Sequence, residues 1–294
     1  MTESFFRFDH VSFQYSNGTK ALHELSLSIP KGKKVAILGE NGSGKSTFFK
    51  LLIGLEKPTN GEIQFLNETL HYSKKQLINL RERVGFIFQE ADNQLFASTV
   101  KQDILYGPIN LKWPYEKIEH NVSSAIQLTE LEDLTERPIH FLSGGQKKRV
   151  TIAGVYAMDP KIYILDEPTS SLDYYFSNQL TTYLDELDDG ERTFLYSTHQ
   201  VNLIYEWADH FIVFHKGQLL YSGQRDALFS NDALLVKAHI EKPWLVKCYE
   251  TMLHEGLIQQ QSLLPRSMGE LMDLVKGRNY TTAEAIDEKR LRTT

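Results

Sequence analysis

Apolar and polar positions change period several times along this chain, and each change marks an element. Phe8 to Tyr15 and Ala21 to Ile29 read as strands on either side of Asn17-Gly18, a dipeptide suited to a tight hairpin turn. Lys34 to Leu38 is a short, almost wholly apolar strand, and Gly39 to Gly44 forms the glycine-rich loop after it. A helix is expected from about Lys45, with Phe48, Phe49, Leu51, Leu52 and Ile53 on its apolar face. Between about residues 92 and 158 the strand signal fades and helical spacing takes over. Val150 to Met158 continues a helix that Pro160 prevents from running on. Strand patterns return at Ile162 to Leu165, Thr193 to Tyr196, Phe211 to Phe214 and Leu219 to Tyr221, with Lys216-Gly217 turning the last pair.

These elements predict a mixed α/β core, an antiparallel β portion at the start and a helical subdomain inserted at about 92–158. From about Leu234 the character changes again. Pro243 and Pro265 break segments, while Ser267-x-x-Glu270 and Thr281-x-x-Glu284 have the spacing of capping boxes that open short helices. The chain therefore divides into residues 1–233, the main domain, and 234–294, a small C-terminal helical appendage. It shows no internal repeat and no Pro/Gly/Ser-rich linker.

Composition narrows the function classes. A length of 294 residues, 41% hydrophobic and 24% charged, suits one large domain with a small addition. A net charge of −6 argues against broad nucleic-acid binding. The one cysteine, Cys248, has no partner for an internal disulfide, so a reducing compartment is expected. No apolar run approaches the roughly 18 residues of a membrane span, so any work at a membrane is expected to need docking onto a spanning protein.

The candidate chemistry begins at the glycine-rich loop. Gly39, Glu40, Asn41, Gly42, Ser43, Gly44, Lys45 and Ser46 fit the phosphate-loop pattern G-x-x-x-x-G-K-[ST], with Thr47 next in the helix. The glycines let backbone N–H groups turn inward around phosphate oxygens, and the helix N-terminus adds partial positive charge. Lys45 is expected to reach the β- and γ-phosphates of a nucleotide, and the Ser46 hydroxyl to ligate Mg²⁺. Asp166 and Glu167 end an apolar strand, and successive carboxylates there are expected to point to opposite sides and differ in role. Ser143, Gly144, Gly145 and Gln146 open a helix and form a second anion-binding terminus. His199 follows another strand, and Gln89 follows the run Val84 to Phe88. His210 and His215, five apart on a strand, should face opposite ways, which makes them poor joint metal ligands.

Taken in this order, the phosphate loop, Gln89, Leu142 to Gln146, Ile162 to Glu167 and His199 resemble the ATP-binding cassette ATPases. The resemblance covers essentially the whole chain. It implies that Asp166 and Gln89 help Ser46 hold Mg²⁺, that Glu167 polarises the attacking water, and that His199 senses the γ-phosphate. Tyr15 would stack on adenine. Ser143 to Gln146 would contact ATP bound by the other subunit of a dimer, identical or related, Asp173 would lie in the loop crossing that interface, and the 234–294 appendage would help hold the two chains together. Two departures from the usual pattern bear on that loop: Ser171 replaces a glycine and Tyr174 a proline.

Within that family, Phe88-Gln89-Glu90-Ala91-Asp92-Asn93-Gln94-Leu95-Phe96 and Leu142 to Met158 are similar to energy-coupling factor transporter ATPases. Glu90-Ala91 stands where an Asn/Asp-Pro pair is usual. The segment His239 to Leu245 is similar to cobalt-transport ATP-binding subunits in particular. The resemblance implies a peripheral ATPase on the cytoplasmic face of the cell membrane, docked beneath a transmembrane coupling protein that joins a substrate-binding membrane protein. Cobalt or nickel is the implied cargo, with a vitamin importer or another cassette transporter as the alternative. A soluble cassette acting on nucleic acid or ribosomes is the remote one. Such proteins carry two cassettes or a long coiled-coil insertion, whereas only 98 positions (143 − 45) separate Lys45 from Ser143 here.

Overall fold

The computed structural model describes residues 4–170 and 172–277. The helix start expected at Thr281 and the substitution at Ser171 lie outside the described residues. In chain order the strands are β1 Ser4–Gln14, β2 Lys20–Pro30, β3 Lys34–Leu38, β4 Asn60–Phe65, β5 Glu68–Thr69, β6 Val84–Ile87, β7 Ile162–Asp166, β8 Thr193–Ser197, β9 His210–His215 and β10 Gln218–Gly223. The helices are α1 Lys45–Leu52, α2 Lys74–Arg83, α3 Val100–Asn110, α4 Tyr115–Leu128, α5 Gly144–Ala157, α6 Tyr174–Glu186, α7 Val201–Tyr205, α8 Arg225–Phe229, α9 Asp232–Ala238, α10 Trp244–His254 and α11 Met268–Val275.

Two sheets organise the chain. An antiparallel sheet has the order β2-β1-β4-β5, and a larger one the order β10-β9-β3-β8-β7-β6, in which β9 through β6 run parallel and β10 closes one edge antiparallel. The central strands read as unbroken apolar runs because both faces of the larger sheet are covered. Val35, Ile37, Ile162, Ile164, Leu195 and Ile212 point into a core shared with α1 and the aromatic residues of β1, including Phe6, Phe8 and Phe13. Their neighbours Ala36, Leu38, Tyr163, Leu165, Phe194 and Phe211 point to the other side. A third core, built on Val100, Ile104, Val122, Ala125, Val150 and Ala153, joins α3, α4 and α5 into the helical subdomain.

The strand and helix expectations hold at these sites, with β3 at Lys34–Leu38 as expected and β1 beginning earlier. Among the described residues, six elements were not anticipated: β4, β5, α2, α6, α7 and α8. β4 begins with three exposed residues, α2 buries only Leu80, and α6 and the two-residue β5 carry weak patterns. Residue 234 falls inside α9. Leu235, Ala238, Leu245, Val246, Tyr249, Ile258 and Leu271 then pack into the same core as Tyr196, Phe211 and Phe229. Ser267 caps α11 by accepting from the Glu270 N–H at 3.2 Å, while the Glu270 carboxylate accepts from the Arg266 N–H instead of closing on Ser267. Among the described residues no helix is long and apolar enough to cross a membrane.

Candidate active site

The loop between β3 and α1 is shaped by its glycines. Gly39, Gly42 and Gly44 have φ of 146°, 79° and 108°, a region that side chains strain to enter. At Gly44 a Cβ would also lie 2.8 Å from Leu22 Cδ2. Gly44 caps α1 without any side chain, so the amides of the first turn keep their hydrogen-bonding capacity for a ligand. That turn lines a cleft of about 750 Å³ together with Tyr15, Asn41, Gly42, Gln89, Asp166 and Glu167. Lys45 is buried, and its Nζ donates to Gly39 O at 2.7 Å and Glu40 O at 3.2 Å. Burial pushes its pKa down, against the opposing pull of Glu167, Asp166 and Glu40.

The acidic pair sits opposite the loop. Asp166 is the last residue of β7, but Glu167 leaves the strand with φ of 46°. The two carboxylates therefore do not alternate across a strand as expected; both are buried and both line the one cleft. Ser197, at the end of the adjacent β8, holds the kink: its Oγ accepts from the Glu167 N–H at 2.9 Å and donates to Asp166 Oδ1 at 2.7 Å. His199 Nδ1 lies 2.8 Å from Glu167 Oε2, with its ring largely exposed. Thus β7 and β8 deliver Asp166, Glu167 and His199 side by side, because their register pairs Asp166 with Ser197.

Tyr15 reaches the cleft wall edge-on to Phe13, and its hydroxyl bonds to Thr47 Oγ1 at 2.9 Å. Ser143 caps α5 in a full capping box: its Oγ accepts from the Gln146 N–H, and Gln146 Oε1 accepts from the Ser143 N–H. Ser143 and Gly144 are exposed, Gly144 has open space around it, and none of Ser143 to Gln146 lines the cleft. Asp173 caps α6 through the Phe176 N–H at 2.9 Å and is likewise outside the cleft. His210 bonds Ser222, while His215 lies 3.3 Å from Glu40, so the two histidines have separate partners.

Two residues that sequence reasoning passed over complete the surroundings. Ser197 is one; its signal is a serine one strand away from the acidic pair. The other is Lys148, fully buried, whose Nζ donates to Phe88 O at 2.6 Å and Gln89 O at 2.9 Å. Burial pushes its pKa down to about 8, although Asp166, Glu90 and Glu167 favour the charged form.

Ser46, Asp166 and Gln89 line the cleft with hydroxyl, carboxylate and amide groups, a hard donor set that suits Mg²⁺ and would hold it there. The glycine loop likewise fits the polyphosphate of a nucleotide.

Residues 22–170 match the family model described as ABC transporter. The chain belongs to this family of ATP-binding cassette ATPases. Within it, the chain groups with energy-coupling factor transporter ATP-binding proteins. It is 39% identical over 240 residues to EcfA of Methanocaldococcus jannaschii, covering 82% of this chain and 86% of that protein. It is 40% identical over 266 residues to a putative ABC transporter ATP-binding protein of Methanosarcina mazei, covering 90% of this chain but only 58% of the longer relative. The structure of cbiO1 from Clostridium perfringens, described as part of the ABC transporter complex cbiONQ, is similar with a TM-score of 0.68 and 38% identity, over 80% of this chain and 94% of that one.

Proposed function

We propose that this chain is the ATP-hydrolysing subunit of an energy-coupling factor type importer. It works as a dimer, of identical or related chains, on the cytoplasmic face of the cell membrane. The observation that carries the reading is the arrangement of the cleft: a glycine loop faces a buried Asp-Glu pair, while the second anion-binding helix end lies exposed and away from it. One chain then supplies half of two sites, and a composite site forms when Ser143 to Gln146 of one chain meet the nucleotide held by the other.

In that site the loop amides and Lys45 bind the phosphates, and Tyr15 stacks on the base. Lys45 donates two of its three N–H groups to the Gly39 and Glu40 carbonyls, and the third is left for a phosphate oxygen. Glu167 takes a proton from the attacking water as general base. His199, bonded to Glu167, orients that carboxylate and contacts the γ-phosphate. Ser46, Asp166 and Gln89 would hold Mg²⁺, which when bound neutralises charge developing on the phosphates. Asp173 faces the partner chain.

Replacing Glu167 by Gln keeps its shape and removes the base, so turnover should fall by about 10²–10⁴-fold while ATP stays bound. Lys45→Ala should instead weaken ATP binding, read as a raised Kd for a fluorescent ATP analogue. Normal hydrolysis by Glu167→Gln would refute its assignment.

Cobalt or nickel is the proposed cargo, supported by the similarity of His239 to Leu245 to cobalt-transport subunits. The partners are a transmembrane coupling protein and a substrate-binding membrane protein. A mild-detergent pull-down from native membranes separates the possibilities. A cobalt- or nickel-type binding component supports the cargo, a vitamin-binding component replaces it, and recovery of soluble or ribosomal partners alone removes the transporter reading.

A further inference from the structure

The N-terminal end of α5 grips the loop that carries Gln89. Lys147 pairs with Asp92 at 2.6 Å on the surface. One residue on, Lys148 runs through the interior to the carbonyl oxygens of Phe88 and Gln89. Both lysines lie close to the N-terminal end of α5, so the helix dipole gives neither cation any support. Lys148 also gives up all contact with water, a desolvation cost that its bonds to the two carbonyls offset in part. The charged groups acting on it are Glu90 on the Gln89 loop and Asp166 and Glu167 across the cleft. A buried ammonium kept in a costly place, with two of its three donors on consecutive carbonyls, fixes the backbone on either side of Gln89.

We propose that Lys148 is the positioning residue that ties the Gln89 loop to the second anion-binding helix. The Gln89 side chain in one cleft and the Ser143 end that meets the partner's nucleotide thereby move as one body. This rests on the cassette reading of the site. The catalytic groups are untouched by it: Lys148 acts through the position of Gln89.

The test uses the full chain with Lys148→Met, Lys148→Gln and Lys147→Ala. Methionine keeps length and removes charge and donors; glutamine restores a donor without a charge. Lys148→Met should lower kcat by at least about tenfold, as a small misplacement of a positioned group does, with KM for ATP held within roughly twofold. Lys148→Gln should recover part of that loss, and Lys147→Ala, at a surface pair, should change little. Amide hydrogen exchange should rise across residues 88–94 in Lys148→Met while residues 39–47 keep wild-type protection. Wild-type kcat in Lys148→Met overturns the proposal, and so does a loss shared equally by kcat, KM and melting temperature with no recovery in Lys148→Gln. Should the wild-type chain hydrolyse no ATP, the functional reading fails separately, and exchange decides the clamp: unchanged protection of 88–94 in Lys148→Met refutes it.

Discussion

At the scale of single residues, the chemistry depends on backbone conformations that side chains resist. Glu167 occupies the left-handed region at φ 46°, and the Ser197 hydroxyl holds it there while tethering Asp166. Ser197→Ala leaves a buried N–H without its acceptor, which costs about 1–3 kcal/mol of stability. The same change should lower kcat more than it raises KM, because the phosphate loop is untouched; equal effects on both would remove Ser197 from the positioning of Glu167. The sequence pointed to residues that gather at one place: Gly42, Gly44, Lys45, Ser46 and the acidic pair line one cleft, and His199 bonds Glu167. What was not legible is direction. Strand alternation placed the two carboxylates on opposite sides, and only the turn at Glu167 brings both into the cleft. Lys148 was hidden for a similar reason: in a run of three basic residues nothing marks which one is buried.

At the scale of elements, periodicity identified the strands covered on both sides and missed short or sparsely buried elements, among them the five-residue α7 and α8. β3, β7, β8 and β9 are covered on both sides and stand out as apolar runs. α2, with one buried residue, gives no comparable signal. The covered sheet also has a consequence for alkaline stability. Tyr163, on β7, and Tyr196, on β8, are buried, and burial raises both hydroxyl pKa values well above the usual 10.0. A group that holds its proton more tightly in the folded state contributes stability in full below its unfolded pKa and loses it as pH rises past that value. Stability should therefore fall as pH climbs beyond about 10. Among the described residues the Tyr163 hydroxyl has no hydrogen-bond partner, so Tyr163→Phe should melt near the wild-type temperature at neutral pH. It should lose less between neutral pH and pH of about 11. Parallel alkaline slopes for the two proteins, by calorimetry, would show that Tyr163 does not contribute.

At the scale of the whole molecule, the sequence showed a cassette with a helical insertion and a helical end, and the two sheets and three cores bear out that fold. The relation of the C-terminal helices to the rest was beyond it, because amphipathic spacing shows that a face is buried but not against what. In the structure Leu235, Leu245, Val246, Tyr249 and Leu271 share the core beneath the larger sheet. Truncation before Leu235 should therefore lower the melting temperature of the remaining chain as well as weaken any dimer. A truncated protein that melts like the full chain would show these contacts to be dispensable. The placement of the Ser143 end of α5 outside the cleft makes dimer closure around ATP the centre of the proposed cycle. The most direct measurement is ATP turnover together with light-scattering mass for the wild type and Glu167→Gln, each with Mg²⁺ and ATP and, where the pair is mixed, its related chain. Glu167→Gln should fail to turn over and hold ATP in a stable dimer, while the wild type hydrolyses ATP and returns to the open state. Wild-type turnover by Glu167→Gln, or retention of ATP by a protein that remains monomeric, would contradict it.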